Sequence, residues 1–216
     1  MNIILLAPPA AGKGTQCEIL VEKYNLTQIS TGNLLRDIAK EETELGKKVK
    51  EVLTSGDLVN DELVYQIVEN YLDNNENQHG YIFDGFPRTE SQAKRLDTIL
   101  KDRNKKIDYV FFLDTEKEIL LNRVLGRRTC KQCGKIYNTN IDILKPKKDL
   151  ICDNCGGELY IRDEDNLQSF EVRYNTYIDK IQPLIDYYKQ QNLLYKIDSS
   201  HSKENTFEQI QTIIKN

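Results

Sequence analysis

The 216-residue sequence has no tryptophan, one methionine, five prolines and no long apolar run. Its longest apolar stretch, from Ile3 to Ala11, contains two prolines and is far shorter than the roughly 18 residues of a membrane span. No basic residue precedes it, as a signal peptide would require, so we expect a soluble cytoplasmic protein with no membrane partner. Repeats and low-complexity tracts are also lacking, which argues against a repeat protein.

Acidic residues slightly outnumber basic ones, with 34 Asp and Glu against 30 Lys and Arg and a net charge of −4. Nucleic-acid affinity comes mainly from Lys and Arg that displace counterions from phosphates. The charge balance therefore argues against nucleic acid as a partner. The length suits one domain with small inserts.

Short apolar runs bounded by turn residues alternate with longer segments of helical periodicity. The runs lie at 3–6, 81–83, 109–113 and 193–197, with a weaker one at 28–30; the helical segments lie at 16–24, 61–72, 91–102, 116–124 and 169–191. This alternation is typical of an α/β fold with a parallel sheet covered on both faces. Thr115 with Glu118 predicts a capping box, and Asp61 predicts a helix cap.

One segment, residues 127–162, breaks the alternation and carries four of the five cysteines. It holds eight Lys or Arg against four Asp or Glu, a net +4, which leaves −8 for the rest of the chain. We interpret it as a small basic domain inserted into an acidic α/β core.

The cysteines of this segment form two C-x-x-C pairs separated by 18 residues, within the spacing of a four-thiolate zinc site. The predicted ligands of a structural Zn²⁺ are Cys130, Cys133, Cys152 and Cys155. Four protein ligands leave no position for a reacting water, so a catalytic role for the metal is disfavoured. Free thiols and an iron-loaded site are the alternatives. Cys17 is predicted to be a buried small hydrophobe.

A phosphate loop is predicted between the first strand and the first helix. It comprises Ala10, Ala11, Gly12, Lys13, Gly14 and Thr15. Backbone N–H groups, the helix N-terminus and Lys13 would hold a polyphosphate, with the Thr15 hydroxyl near the phosphates or Mg²⁺. The match is imperfect, because Ala7 replaces the first glycine of the P-loop pattern and Gly14 separates Lys13 from Thr15. An ordinary turn with an exposed lysine is the alternative.

The two alanines of this loop raise a question of backbone strain. If Ala7 or Ala10 had a positive φ, its Cβ would cost roughly 1–2 kcal/mol. We expect either that neither has one or that the loop tolerates the strain.

A second motif follows the predicted strand at 81–83. It reads Asp84-Gly85-Phe86-Pro87-Arg88, with Gln92 four residues beyond the arginine. Together with Gly12-Lys13-Gly14-Thr15-Gln16, it closely resembles the adenylate kinase family, and the resemblance covers essentially the whole chain. It implies a P-loop NTPase-type sheet in a core of residues 1–29, 60–125 and 164–216, an AMP-binding insert at 30–59 and a zinc-binding lid at 126–163.

The resemblance implies a monomeric phosphotransferase whose nucleotides are ATP, AMP and ADP. The reaction would be the reversible, Mg²⁺-dependent transfer of the terminal phosphoryl of ATP to AMP, giving two ADP. Two alternatives stay open. One is the same fold with GTP as donor or a pyrimidine monophosphate as acceptor; the other is a non-catalytic, nucleotide-responsive zinc-ribbon module with a decayed phosphate loop.

The resemblance also assigns roles to individual residues. Catalytic roles fall to Lys13, Asp84, Arg88, Arg123, Arg127, Arg162 and Arg173. ATP would be bound by Ala10, Ala11, Gly12, Lys13, Gly14, Thr15, Arg127, Ile136, Tyr137 and His201. AMP would be bound by Thr31, Arg36, Asp57, Leu58, Val59, Gly85, Arg88, Gln92, Arg162 and Arg173. Asp84 would hold Mg²⁺ through water.

Several of these assignments have competing interpretations. The Gln92 amide can pair with an adenine edge, whereas pyrimidine kinases of the family are expected to carry Asn there. Tyr137 is alternatively a strand residue of the zinc ribbon, and His201 an ordinary loop residue. The usual Arg-x-Asp-Asp exit motif reads Arg162-Asp163-Glu164-Asp165, and we expect Glu164 to keep the acceptor role.

Overall fold

The computed structural model describes residues 1–55 and 59–215. In chain order its elements are β1 (Ile3–Leu6), α1 (Lys13–Tyr24), β2 (Thr27–Ser30), α2 (Thr31–Ile38), α3 (Glu44–Ser55), α4 (Asp61–Asn74), β3 (Tyr81–Asp84), α5 (Glu90–Lys101), β4 (Tyr109–Asp114), α6 (Lys117–Gly126), β5 (Arg127–Cys130), β6 (Ile136–Asn138), a 3₁₀ turn (Asp142–Leu144), β7 (Leu159–Tyr160), α7 (Leu167–Gln190), β8 (Leu194–Asp198) and α8 (Lys203–Lys215).

The main sheet has five parallel strands in the order β2-β3-β1-β4-β8. Alternate residues of β1 face opposite sides of the sheet, as a strand period of two requires. Ile4 packs with the apolar residues of α4, α5 and α7, whereas Ile3 and Leu5 pack with those of α1, α6 and α8. Ile3 and Ile4 are both completely buried. The predicted α/β class, with a parallel sheet covered on both faces, is confirmed.

The carboxyl ends of the parallel strands meet at one edge of this sheet. The phosphate loop follows β1, and the neighbouring strands β3 and β4 end in Asp84 and Asp114. Ligands of open parallel α/β sheets bind at this edge, outside the carboxyl ends of the strands. The fold thus brings together two sequence motifs that are about 70 residues apart in the chain.

The basic segment forms a second sheet of three antiparallel strands in the order β6-β5-β7. Its small core consists of Cys130, Tyr137, Cys152 and Leu159. A segment with so small an apolar core is of the kind that a bound metal can stabilise.

Both cap predictions are wrong. Helix α6 begins at Lys117 after Glu116, without a side-chain cap, because the Thr115 hydroxyl instead donates to the backbone oxygen of Asp114 at 2.8 Å and bonds the hydroxyl of Ser199. That bond ties the end of β4 to the end of β8.

Helix α4 is capped by Asn60, whose side-chain oxygen accepts from the backbone N–H of Glu62 at 2.8 Å. Asn60 has the extended ψ of 132° that a cap needs, whereas Asp61 is already the first helical residue. Its carboxylate is therefore available for other contacts. Among the described helices, none combines the length and apolarity needed to cross a membrane.

Candidate active site and metal centre

The phosphate loop joins β1 to the first turn of α1. Gly12 precedes the helix with a φ of 88°, and Ala10 has a φ of 65°. Ala7 is not among the left-handed residues of the described chain. Ala10 therefore carries the strain of roughly 1–2 kcal/mol that an L-residue pays in this region, and the loop tolerates it.

The lysine of the loop meets the carboxylate of the second motif. Lys13 Nζ lies 2.7 Å from Asp84 Oδ1, and Gln28 Nε2 donates to Asp84 Oδ2 at 3.0 Å. Burial would raise the pKa of Asp84, but the charge and hydrogen bond of Lys13, with hydrogen bonds from Ser30 and Gln28, outweigh it and hold the pKa below the ordinary value. Asp84 is thus ionised at neutral pH.

Gly85 occupies the point where the two motifs approach each other. It has a φ of 79°, and its carbonyl accepts from Arg88 Nε at 2.7 Å and from the Thr31 hydroxyl at 3.1 Å. A Cβ at Gly85 would lie 3.3 Å from Arg88 Nη2 and 3.7 Å from Lys13 Nζ. Lys13, which was predicted to bind ATP, therefore lies in one cleft with Thr31, Gly85 and Arg88, which were predicted to bind AMP.

The predicted arginines act on one another through this cleft. Burial lowers the pKa of Arg88, the Asp84 carboxylate opposes the shift, and the positive charges of Arg173 and Arg36 reinforce it. Burial likewise lowers the pKa of Arg173; Glu164 opposes it and Arg127 adds to it. Such a concentration of like charge is unfavourable without an anion and suits a polyphosphate, which guanidinium groups bind bidentately.

The first residue of the inserted segment pairs with a carboxylate that follows the segment. Arg127 donates to Asp165 through two nitrogens, with Nε 2.8 Å from Oδ2, and the Asp165 side chain is fully buried. Within the described residues Glu164 makes no ion pair, although its charge acts on Arg162 and Arg173. The acceptor role expected for it stays a prediction. The turn in which Asp165 N donates to Arg162 O points the Asp165 carboxylate inward.

Arg123 reaches the loop that follows β8. Its Nη2 donates to the backbone oxygen of Ser200 at 3.0 Å and to that of His201 at 3.3 Å. The His201 imidazole is exposed and lies 3.6 Å from Asp198 Oδ2. Gln16 donates to Lys203 O, at the start of α8, at 2.9 Å.

The four predicted cysteine ligands converge. All four sulfur atoms lie within 4.8 Å of one another, with Cys130 Sγ 3.5 Å from Cys155 Sγ and Cys133 Sγ 3.6 Å from Cys152 Sγ. Zinc–sulfur bonds of about 2.3 Å in a tetrahedron place the sulfurs about 3.8 Å apart, so the donor set fits zinc. None of the cysteines forms a disulfide in the described chain.

Hydrogen bonds toward the sulfurs of Cys130 and Cys152 favour the thiolate form, which binds metal. The backbone N–H groups of Gln132 and Cys133 point at Cys130 Sγ from 3.4 and 3.5 Å. Burial would raise the pKa of Cys152, but the Tyr137 hydroxyl and two backbone N–H groups outweigh it and lower the pKa to about 6. Cys17 lies elsewhere, fully buried among apolar residues, as predicted.

Tyr137 lies beside the four-cysteine cluster. Its hydroxyl lies 3.4 Å from Cys152 Sγ and accepts from the backbone N–H of Asp153 at 2.8 Å. In this structure the surroundings of Tyr137 are therefore those of a strand residue of the cysteine-bearing sheet. Ile136, the preceding strand residue, is 46% exposed on the opposite face.

The residues predicted to bind AMP are described in part. Asp57 and Leu58 lie outside the described residues, Val59 is buried, and Arg36 Nη2 donates to Asn33 Oδ1 at 2.6 Å. Gln92 is 3% exposed and bonded at both ends of its amide.

Sequence reasoning missed the residues that join the lid to α6. Asn138 Nδ2 donates to Arg123 O at 2.8 Å, Asn140 Nδ2 donates to Asn122 O at 3.0 Å, and Thr139 N donates to Gly126 O at 2.8 Å. The bonds to Arg123 O and Gly126 O satisfy two of the last four carbonyls of α6, which have no i+4 partner within the helix. No local pattern signals them, because donor and acceptor lie 13 to 18 residues apart.

A phosphate loop at the first strand, a carboxylate beside its lysine and a cleft lined by arginines together define a P-loop nucleotide phosphotransferase. Comparison with known proteins narrows this class. The family model for adenylate kinase matches residues 5–193. Adenylate kinase of Archaeoglobus fulgidus is 45% identical over 215 residues, covering 100% of this chain and 98% of the relative.

Two other relatives are similar over their whole length. Adenylate kinase of Thermosipho africanus is 41% identical over 100% of both chains, and that of Geotalea daltonii is 42% identical over 100% of both. The chain belongs to the adenylate kinase family, and it is a phosphotransferase of the nucleoside monophosphate kinase type.

Proposed function

We propose that the protein transfers the terminal phosphoryl of ATP to AMP, reversibly, giving two ADP, and so serves adenine nucleotide homeostasis. The observation that carries this proposal is the position of Gly85, between Arg88 of the second motif and Lys13 of the phosphate loop. ATP bound at the phosphate loop and AMP bound at the second motif would then have their phosphates a short distance apart.

In phosphoryl transfer the protein has little covalent chemistry to perform, so catalysis consists of positioning the substrates and neutralising charge. Lys13 and the backbone N–H groups of residues 10–15 bind the ATP phosphates. The arginines neutralise the phosphates of both nucleotides and hold the attacking and leaving oxygens in line; they are Arg88, Arg123, Arg127, Arg162 and Arg173. Their charge is permanent, which makes them effective over the whole physiological pH range.

The residues present fit the Mg²⁺ that adenylate kinases use with ATP. Asp84 is an ionised carboxylate at the end of β3, and hard oxygen ligands of this kind suit Mg²⁺. We propose that Asp84 holds the ion through water, with the Thr15 hydroxyl nearby. Bound Mg²⁺ supplies positive charge to the phosphates.

On the acceptor side, the residues that we assign to AMP are Thr31, Arg36, Asp57, Leu58, Val59, Gly85, Arg88 and Gln92, with Arg162 and Arg173 at its phosphate. Gln92 supports adenine as the base, since its amide offers both a donor and an acceptor. On the donor side, we assign Ile136, Tyr137 and His201 to the surroundings of the ATP base, His201 through its backbone.

For the four cysteines we propose a structural Zn²⁺ that stabilises the lid. The closed four-sulfur donor set and the small apolar core of this sheet support that role. We further propose that residues 30–59 form the AMP-binding insert, and that residues 126–163 act as a lid that closes over ATP and excludes water as a competing acceptor. The monomeric state and the cytoplasmic location stay predictions.

Phosphorus NMR of ATP, AMP and Mg²⁺ with the enzyme tests the proposal, because ADP must form from both nucleotides at equal rates. Lys13→Ala and Arg88→Ala are each expected to lower turnover by about a thousandfold with the fold intact. The matched control is Arg103→Ala, which removes an arginine that pairs with Asp73 outside the cleft. Inorganic phosphate as the main product, or normal turnover in both variants, would contradict the assignment.

A further inference from the structure

The side-chain amide of Gln92 is held at both ends by groups of opposite hydrogen-bonding character. Its Nε2 donates to Asp61 Oδ1 at 2.7 Å, and its Oε1 accepts from the backbone N–H of Arg88 at 2.8 Å. The residue is almost completely buried. Gln92 is therefore a rigid element of the acceptor site.

These two bonds decide which way the amide points. A carboxylate only accepts hydrogen bonds and a backbone N–H only donates them. Rotating the amide of Gln92 by half a turn would set its oxygen against the Asp61 carboxylate and its NH₂ against the N–H of Arg88. Both contacts would be repulsive, so the observed orientation is strongly favoured.

The position of Asp61 is itself well determined. Asn60 caps α4, which leaves the Asp61 carboxylate free to reach α5, and the Tyr65 hydroxyl lies 3.5 Å from its second oxygen. On α5, the Thr89 hydroxyl accepts from the backbone N–H of Gln92 and fixes the backbone from which the amide extends.

After these two bonds, the amide retains one N–H and one oxygen lone pair for a ligand. Adenine presents an amino donor at position six beside a ring-nitrogen acceptor, which matches the free oxygen and N–H together. A purine with a carbonyl at position six, as in inosine monophosphate, would place two acceptors against each other. It could bind well only if the amide were reversed.

We propose that Asp61 is a specificity-determining positioning residue, which holds the Gln92 amide in the orientation that selects an amino group at position six of the purine. Asp61 acts through Gln92 and touches no substrate. The inference rests on the proposed function, in which AMP is the acceptor and Gln92 reads its base.

The test compares Asp61→Asn with the wild-type enzyme, using AMP and inosine monophosphate as acceptors with saturating ATP and Mg²⁺. The new amide can donate to a reversed Gln92, which removes one of the two penalties against reversal. The ratio of kcat/KM for AMP to that for inosine monophosphate is expected to fall about tenfold, through the KM values of the acceptors. The KM for ATP is expected to stay unchanged.

A matched control separates this role from helix packing. Glu69 on α4 pairs with Arg95 on α5 at 2.8 Å, so Glu69→Gln breaks another carboxylate contact between the same two helices. It is expected to leave the acceptor ratio unchanged. A second variant, Asp61→Ala, removes the carboxylate without offering a donor and is expected to lower the same ratio.

An unchanged acceptor ratio in Asp61→Asn, with or without a general loss of rate, would overturn the proposal and leave Asp61 a packing residue. If the Asp61 variants fail to fold, the binding of AMP and inosine monophosphate to Tyr65→Phe is measured instead. That variant removes the hydroxyl that contacts the Asp61 carboxylate, so the preference for AMP is expected to fall. An unchanged preference would overturn the proposal. A wild-type enzyme that does not phosphorylate AMP would instead contradict the proposed function. The rate of AMP phosphorylation by the wild type is therefore measured first, which separates failure of the proposed function from failure of the Asp61 proposal.

Discussion

Lys13 Nζ lies 2.7 Å from Asp84 Oδ1, so the cation of the phosphate loop and the carboxylate at the end of β3 form an ion pair. The two side chains are 28% and 14% exposed. A bound polyphosphate competes with Asp84 for Lys13, and a bound cation competes with Lys13 for Asp84. We therefore expect the nucleotide and its metal to bind together more strongly than either does alone.

The ion pair predicts the effect of Asp84→Asn. Turnover is expected to fall by at least about a hundredfold, because the variant loses the charge that we assign to the metal. The Mg²⁺ concentration at half-maximal rate is expected to rise, as measured by titration in an ADP-forming assay. Asp114→Asn is the matched control, since Asp114 ends the strand next to β1 on its other side and also pairs with a lysine, Lys196, at 2.7 Å. An unchanged Mg²⁺ requirement in Asp84→Asn would contradict the assignment of the metal.

The five cysteines are predicted to differ sharply in reactivity. After treatment with a chelator, the native chain is expected to expose four thiols to a colorimetric thiol reagent, and the melting temperature is expected to fall. Cys17 should react only in denaturant, because it is fully buried and burial raises the pKa of its thiol far above the ordinary value. Cys133→Ser is expected to lower the zinc content measured by atomic absorption, and Cys17→Ser to leave it unchanged. Five reactive thiols in the native chain would contradict this picture.

The junction between α6 and the lid has no room for a side chain at Gly126. A Cβ there would lie 2.2 Å from Asn138 Oδ1 and 2.8 Å from Asn140 Cγ. Gly126→Ala must therefore displace the side chains of Asn138 and Asn140, whose bonds to α6 hold the junction directly before Arg127. We expect the KM for ATP to rise about tenfold, with a smaller change for AMP, in steady-state kinetics. Leu125→Ala, at an exposed neighbouring position, is the control. Equal effects on both nucleotides would argue against a local change at the ATP side.

Asp97 predicts a pH dependence of stability. Burial raises the pKa of its carboxyl, although hydrogen bonds from Tyr187, at 2.6 Å, and Gln191 oppose the shift. The folded chain thus binds this proton more readily than the unfolded chain does, so the contribution of Asp97 to the free energy of unfolding falls as the pH rises from its ordinary pKa to its raised one. Asp97→Asn keeps an acceptor for Tyr187 and is expected to remove that decline.

The measurement for Asp97 is urea unfolding from pH 3.5 to 7. The difference in free energy of unfolding between Asp97→Asn and the wild type should increase with pH over the lower part of this range and then become constant. Asp102→Asn, which follows the end of the same helix, is the control. A constant difference across the whole range would show that the Asp97 proton is not linked to folding.

Much of the fold follows from local sequence signals. The five strands of the main sheet were predicted within about one residue. The signal is strong for β1, β3 and β4, which are largely buried apolar runs, and weaker for β2 and β8, which bury one residue each. The helix ends were predicted less accurately. Asn60 and Asp61 are equally good caps by residue type, and only the backbone conformation of Asn60 decides between them.

The sequence by itself determined the chemistry that is encoded over a few consecutive residues. The phosphate loop, the Asp84 motif and the spaced cysteine pairs are of this kind, because a turn or a knuckle is built by neighbours along the chain. The tertiary structure decided every relationship between distant residues. Three examples are the pair of Arg127 with Asp165, the contact of Tyr137 with Cys152 and the bond from Gln92 to Asp61. All three depend on how helices and strands pack, because packing brings together residues that no local sequence pattern connects.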